Sequence, residues 1–491
     1  MVSGIKKSGI RCKAHGTRCT VGTKNNMVAL HLTPYTLYLG PYTVMSSAPH
    51  ILLINPYIQD FTAFDLWAKP LGLLYLAGTL RANGYQVHLL DCLDVHFKGT
   101  GTLSPPPVRK AFGTGKYFRQ RLPKPSALQN IPKYYYRYGV PPELFIQALK
   151  KLPRPQAVLI TSSMTYWYGG LQETVKLVRS VFPESPIILG GIYATLMPDH
   201  ARNRIGPDYL ITGPGEGAIL KLLGSLTGIA PEVMPVPDDP DSYPLPAFNL
   251  YSSLDYICIL TSRGCPFACP YCASRLLQPK FSQRSVEGVV DEIVYWHQTK
   301  GVLDFAFYDD ALLVGFENHL GPVLESLLRG NISLRFHTPN ALHVREITPE
   351  RAGLLFKAGF KTLRLGLETT NWERQKAWGG KMAQEDLLRA VKALRNAGFK
   401  NNQIESYLLV GLPGQHLSEM KQTIQEVKTL GIRPRLAEYS PLPQTALWNE
   451  ACRISRFSLA EEPLFHNNSL WPCLNPFSWE TVQNLKDLVR A

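Results

Sequence analysis

Arg263-Gly264-Cys265-Pro266-Phe267-Ala268-Cys269-Pro270-Tyr271-Cys272 places three cysteines at C-x3-C-x2-C spacing, directly after the short apolar run 256–261. Thiolates are soft ligands that suit iron–sulfur clusters and zinc. Gly264 and two prolines hold the segment as a loop, so the three sulfurs can converge on one small object. A closed structural site takes four protein ligands. Three on one loop leave one iron of a 4Fe-4S cluster open to another molecule. A three-ligand zinc loop is the other reading of the spacing alone.

Working outward, the chain of 491 residues is long enough for two or three domains with their own cores. Its 45% apolar content is that of a globular protein, and no apolar run reaches the length of a membrane span. Nine cysteines, three of them clustered as ligands, fit a reducing compartment, so a cytoplasmic protein is expected. The net charge of +14 is local: residues 1–47 carry six Lys/Arg and no acid, and residues 98–155 carry twelve against Glu143 alone.

Strands and helices alternate on both sides of a proline-rich stretch. Before it, apolar runs at 51–54, 86–91, 157–163, 186–189 and 208–211 read as buried parallel strands, with helices at 70–80 and 171–181 between them. That order predicts a doubly wound parallel sheet. Ser162-Ser163, Gly190-Gly191 and Gly213-Pro214-Gly215-Glu216 fall at its strand carboxyl ends, where such sheets bind ligands. After it, strands at 256–261, 303–309, 332–338, 362–368, 404–411 and 433–440 predict a partial (β/α)6 barrel of the TIM type, with its chemistry at the strand carboxyl ends. The resulting division is a basic extension at 1–47 without structure of its own, a first α/β domain at 48–220, a linker at 221–252, a barrel at 253–455 and a tail at 456–491. An insertion at 97–155 interrupts the first domain; its prolines argue against continuous secondary structure before Pro141, and its charge and tyrosines read either as a solvated surface or as an arm that touches an acidic partner or an anionic substrate.

The cysteine loop, with Tyr271 directly before its last cysteine, resembles the signature of the radical S-adenosylmethionine (SAM) enzymes. The resemblance implies that Cys265, Cys269 and Cys272 hold a 4Fe-4S cluster whose open iron binds SAM. It extends down the barrel. Phe307-Tyr308-Asp309-Asp310 stands where the SAM amino group is received, and Glu368 in Arg364–Thr369 where the ribose hydroxyls are. Gly411 and Pro413, in Val410-Gly411-Leu412-Pro413-Gly414-Gln415, resemble the adenine-side loop, with Gln415 in place of glutamate. Tyr439–Thr445 resembles a sixth-strand Pro-x-Pro-Gly-Thr loop, with Gln444 in place of glycine.

The first domain looks like the cobalamin-binding domain of one radical SAM subgroup, which implies cobalamin beside Ser162, Ser163, Gly190, Gly191, Gly213, Gly215 and Glu216. Asp94–Gly99 matches the D-x-H-x-x-G pattern of a lower axial histidine, but it follows the second strand and not the first, so His96 is not expected on cobalt. The implied enzyme cleaves SAM reductively and methylates or rearranges an unactivated carbon of a small-molecule, lipid or peptide substrate, drawing electrons from a flavodoxin- or ferredoxin-type donor. The rival is a cobalamin-free radical SAM enzyme acting on RNA or protein. A nucleic-acid partner is not expected, because 456–491 holds no recognisable RNA-binding tail. An iron–sulfur electron carrier is the weakest reading, since it has no use for Asp309, Asp310 or Glu368.

Overall fold

The computed structural model describes residues 18–21, 28–31, 48–103 and 105–490. The N-terminal extension therefore lies outside the described residues, apart from an antiparallel strand pair, Arg18–Val21 with Val28–His31.

Five parallel strands form the first sheet, in the order Tyr209–Leu210, Ile187–Leu189, Ala157–Ile160, His50–Asn55, Gln86–Asp91. Continuous apolar runs such as Ile51–Ile54 and Ala157–Ile160 are buried on both faces, as a sheet sandwiched between helices requires. His50–Asn55 sits between its chain successors, with Ile51 opposite Val87 on one side and Ala157 on the other. The strand order thus reverses beside its carboxyl end, the place where such sheets open a crevice. The last helix, Glu216–Thr227, buries Ile219, Leu220 and Leu223 against this sheet, so ordered structure runs seven residues into the stretch expected as linker. The rest of that stretch is pinned as well: Asn83 accepts from the Glu232 and Val233 amides, and Phe248 is fully buried against Trp296.

Six parallel strands follow one another in sequence order: Ile257–Ile259, Asp304–Phe307, Arg335–His337, Phe360–Glu368, Ile404–Val410 and Arg433–Glu438. Period-two alternation turns Phe305, Phe307, Phe336 and Phe360 outward, where they pack ring on ring beneath the helices. The opposite side is polar, and a register shift after Phe360 brings Thr362 and Arg364 onto it. Asp304 accepts from Arg335 and His337, and Glu405 accepts from Arg364 and Arg435. The sheet does not close on itself, and the first domain fills its concave side. Trp67 stacks on His337 at 4.6 Å, its indole N–H donates to the Phe112 carbonyl at 2.9 Å, and its own carbonyl accepts from the Cys258 thiol. Trp67 and Phe112 both take left-handed backbone (φ 64° and 59°), an arrangement that bulky side chains adopt only under tertiary constraint. Trp67→Phe should lower unfolding stability by about 1–2 kcal/mol, because it leaves the Phe112 carbonyl unpaired in a partly filled space. Denaturant midpoints of the two proteins check this.

The insertion is not a free arm. Arg119–Leu122 and Tyr135–Tyr138 pair antiparallel with each other, and Tyr135–Tyr138 also pairs with Ile58–Asp60 of the first domain. Prolines interrupt the segment, as expected, but short strands form between them because neighbouring strands satisfy their amides. The tail divides in two. Trp471 is buried beneath the loop that follows Ile404–Val410, while the helix Trp479–Arg490 buries Val482 and Leu485 along the barrel's outer side. Among the described residues no helix is long and apolar enough to cross a membrane.

Candidate active site

The cysteine loop is clamped at its base. Ser262 and Arg263 pair antiparallel with Gln283 and Ser282, and Gly264 (φ 77°) passes so close to the Lys280 carbonyl that a Cβ would lie 2.3 Å from its oxygen. Only glycine fits there. Phe267 stacks on His343 at 4.3 Å, and the Pro270 carbonyl accepts from the Leu447 amide. The loop between is thereby hung over the barrel's carboxyl end, where Cys265, Cys269 and Cys272 line one cavity of about 380 Å³. Among the described residues no three such side chains come close enough to share a single metal ion. A space of this size instead takes a cluster together with a small molecule. Burial pushes the Cys265 thiol up to about 11 and raises Cys269 as well, so iron must displace protons when it binds.

Tyr271, Asp310 and Glu368 line the same cavity. Glu368 ends its strand at a register shift and with φ 69°, strained backbone that swings the carboxylate toward the cysteines. Burial raises its carboxyl, against the pull of Lys381 and Tyr271. Lys381 was not anticipated from the sequence. It lines the cavity and donates to the Tyr271 hydroxyl at 3.2 Å; burial opposes its charge, but Glu368 and Cys269 outweigh that and raise its pKa. Nothing local marks this lysine: it lies in the loop after Glu368, with no pattern around it.

Three expected contacts fall elsewhere. Asp309 is buried, and its carboxylate accepts from the Thr261 amide and from the hydroxyls of Thr261 and Ser262. It fastens the base of the cysteine loop to the neighbouring strand and does not face the cavity. Gly411 and Pro413 are also outside the cavity lining; Gly411 lies against the Trp471 ring. Beside them Gln415 both donates to the Leu409 carbonyl and accepts from the Leu412 amide, which a carboxylate could not do. Gln444, where the resemblance has glycine, keeps the left-handed conformation (φ 67°) and donates to the Leu196 carbonyl of the first domain.

In the first domain Gly190, Gly191, Gly213, Gly215 and Glu216 line a second cavity, of about 210 Å³, with an apolar wall from Leu73, Ile160 and Ile219. A Cβ at Gly213 would meet nothing within 4 Å, and one at Gly190 only a carbonyl oxygen at 3.7 Å, so the glycines leave open a cradle that side chains would fill. An apolar slot with a bare backbone rim lets one part of a large cofactor approach the backbone closely. Ser162 and Ser163 do not line it; they border a small space of about 30 Å³ at the strand-order reversal, behind the Gly190-Gly191 rim. The Ser162 hydroxyl is used within the fold, donating to the Gly190 carbonyl and accepting from the Ala194 amide. His96 is bonded to Asp255 at 3.0 Å, beyond the opposite edge strand, and does not line the cavity. The two cavities share one segment. Arg263 and Gln278 line the glycine-rimmed cavity, and the cysteines between them line the other. Arg263 pairs with Glu216 at 3.2 Å and stacks on Tyr243 at 3.7 Å.

Comparison with known proteins agrees with both halves. Residues 259–427 match the model of the radical SAM superfamily, and residues 132–223 match that of the B12 binding domain; together these cover more than half of the chain. The chain belongs to the radical SAM superfamily, in the group that carries a B12 binding domain. It is 22% identical over 483 residues to the cytidylyl-2-hydroxyethylphosphonate methyltransferase of Streptomyces wedmorensis, covering 84% of each chain. It is also 22% identical over 325 residues to an uncharacterized methyltransferase of Pyrococcus horikoshii, covering 60% of this chain and 69% of that one. In fold it is similar to the radical SAM methyltransferase TsrM of Kitasatospora setae, solved with cobalamin and a 4Fe-4S cluster: TM-score 0.60, 16% identity, 83% of this chain and 76% of that one. The two family matches make the enzyme's cofactors a 4Fe-4S cluster, SAM and cobalamin.

Proposed function

We propose that this radical SAM enzyme transfers a methyl group to an unactivated carbon of a small substrate. The observation that carries the reading is the shared segment: one stretch, Arg263 to Gln278, borders both the glycine-rimmed cavity and the cysteine cavity. When bound, the cluster supplies the electron that cleaves the SAM sulfonium, and cobalamin supplies the methyl carrier. The chain does the rest. Cys265, Cys269 and Cys272 hold the cluster, and the Lys381 ammonium meets the SAM carboxylate beside it. Asp310 and Glu368 receive its amino and ribose groups, and Tyr271 is held in place by Lys381. Gly190, Gly191, Gly213 and Gly215 admit cobalamin close to backbone, with Glu216 fixed by Arg263. Ring rearrangement or cyclisation on the same scaffold remains the rival chemistry. The oxygen-sensitive cluster supports a cytoplasmic setting and a flavodoxin- or ferredoxin-type donor.

Anaerobic protein mixed with hydroxocobalamin should retain it through gel filtration, seen in the visible spectrum. Gly190→Val, which fills the cradle, should lose cobalamin but keep the iron–sulfur absorption. Wild-type protein that retains no cobalamin would return the reading to a cobalamin-free enzyme acting on RNA or protein. A second expectation concerns His96. Electron paramagnetic resonance of the cob(II)alamin form should be identical in wild type and His96→Ala, because Asp255 engages the imidazole away from the cavity. Nitrogen splitting that vanished in the variant would make His96 a cobalt ligand.

A further inference from the structure

The charge of the insertion is not used evenly. Arg109 pairs with Asp65 at 2.7 Å and Arg137 with Glu173 at 2.5 Å, both with acids of the first domain. Among the described residues no carboxylate pairs with Arg119, Arg121, Lys124 or Lys133. Three of these four border one open groove of about 720 Å³ between Arg121–Lys124 and Pro132–Tyr135, which shares no residue with either cofactor cavity.

The groove is built. Lys124 donates to the Gln129 and Ile131 carbonyls at 2.7 Å each, which fixes the loop between the two strands. Lys133 donates to the Ser469 carbonyl and lies 4.9 Å over the Trp479 ring. Burial, with Lys486 nearby, brings its pKa down to about 8 against the weaker pull of Glu438 and Asp60. Arg121 stacks 3.8 Å from the centre of the Tyr134 ring, which is 60% exposed, and Arg119 stacks 4.5 Å from Tyr136. Stacking holds the Arg121 guanidinium fork flat with its N–H donors turned to the groove, the form suited to phosphate, while Arg119 also bonds the Tyr138 hydroxyl. The exposed face of Tyr134 offers a platform for an aromatic base. Three cations in one concave space, none in salt-bridge contact with a carboxylate among the described residues, focus a field for a dianion or more.

We propose that this groove is a second ligand site, for a nucleoside diphosphate: phosphates on Arg121, Lys124 and Lys133, base on Tyr134. It holds the anionic handle of a substrate, outside the barrel wall. Lys133 lies near Glu438, and the adjacent Ala437 lines the active-site cavity. The assignment does not rest on the methyl-transfer reading, since it needs neither cluster nor cobalamin to act.

The test uses the holoenzyme with SAM bound, so that the adenine-side site is filled, and cytidine 5′-diphosphate as the probe. At about 50 mM salt the probe should bind with Kd below about 1 mM. Arg121→Ala combined with Lys124→Ala should weaken both cytidine diphosphate and inorganic pyrophosphate by about tenfold or more. Tyr134→Ala should weaken cytidine diphosphate by about tenfold and pyrophosphate by clearly less, since the base loses its platform while Arg121 loses only its stacking partner. Iron–sulfur absorption, cobalamin retention and substrate-free SAM cleavage should be as in wild type, which separates failure here from failure of the catalytic reading. Three results overturn the proposal. One is no probe binding, or binding unaffected by the double variant. Another is pyrophosphate bound as tightly as cytidine diphosphate with Tyr134→Ala silent, which means an adventitious ion only. The third is a single-stranded RNA oligomer bound about a hundredfold more tightly than the diphosphate, which makes the face a nucleic-acid surface.

Discussion

Alanine at Cys265, Cys269 and Cys272 together should abolish both the brown iron–sulfur absorption and SAM cleavage. All three sulfurs line the one cavity, and the other described cysteines do not. A cluster that keeps one iron open for SAM has only three protein ligands, so none is spare. The unligated thiols are weak acids, Cys265 near 11, and each bond to iron must displace a proton. Losing even one ligand leaves two, too few to hold the cluster through purification. Alanine at Cys92, Cys258, Cys452 or Cys473 should leave iron content unchanged. Cys258 is buried and donates to the Trp67 carbonyl, and Cys473, in the tail, is buried in a cluster with Leu412, Tyr439 and Ala451. Iron content by colorimetry and 5′-deoxyadenosine release by chromatography decide the matter. A triple variant that stayed brown, or a Cys258→Ala protein without iron, would mean that the ligands are other residues.

What the sequence revealed follows from which forces are local. Most of the parallel strands of the two sheets were legible because buried parallel strands are short apolar runs bounded by turn residues, and Gln86–Asp91 falls where the pattern puts it, whereas the edge strand Arg433–Glu438 is legible only from the alternation of strands and helices before it. The cysteine loop was legible because all its ligands lie within eight residues. Contacts made by tertiary approach were not. Trp67 and Phe112 enter the barrel from another domain, and no periodicity around them foretells left-handed backbone. Lys381 reaches the cavity from a loop whose course is set by Trp378 packing on Tyr271. The insertion's prolines argued against continuous secondary structure but said nothing of which short pieces would pair; Arg119–Leu122 forms because Tyr135–Tyr138 satisfies it. Asp309 and Asp310 looked equivalent as a pair of acids. Adjacent positions at a strand end point to opposite sides, so one enters the cavity and the other the interior.

That division makes Asp309 the site of the second large effect. Its carboxylate is buried and gathers three donors: the Thr261 amide at 3.0 Å, the Thr261 hydroxyl at 2.8 Å and the Ser262 hydroxyl at 2.6 Å, all on Oδ1. Thr261 and Ser262 lead directly into Arg263 and the cysteines, so the carboxylate sets where the loop leaves its strand. Asp309→Ala strips an acceptor from three donors in a dry place, at about 1–3 kcal/mol for each donor that finds no other partner. The amide cannot rotate away and the hydroxyls can, so a local loss of about 3 kcal/mol is expected, concentrated on the loop. The cluster should be lost on purification, although no ligand has changed. Asp309→Asn keeps an oxygen at Oδ1 for all three donors and should retain cluster and SAM cleavage within about threefold of wild type. A residue touching SAM behaves otherwise: Asp309→Ala would then stay brown and raise the KM for SAM alone. Iron content and SAM KM of the two variants, measured side by side, separate a carboxylate that positions the loop from one that binds the cosubstrate.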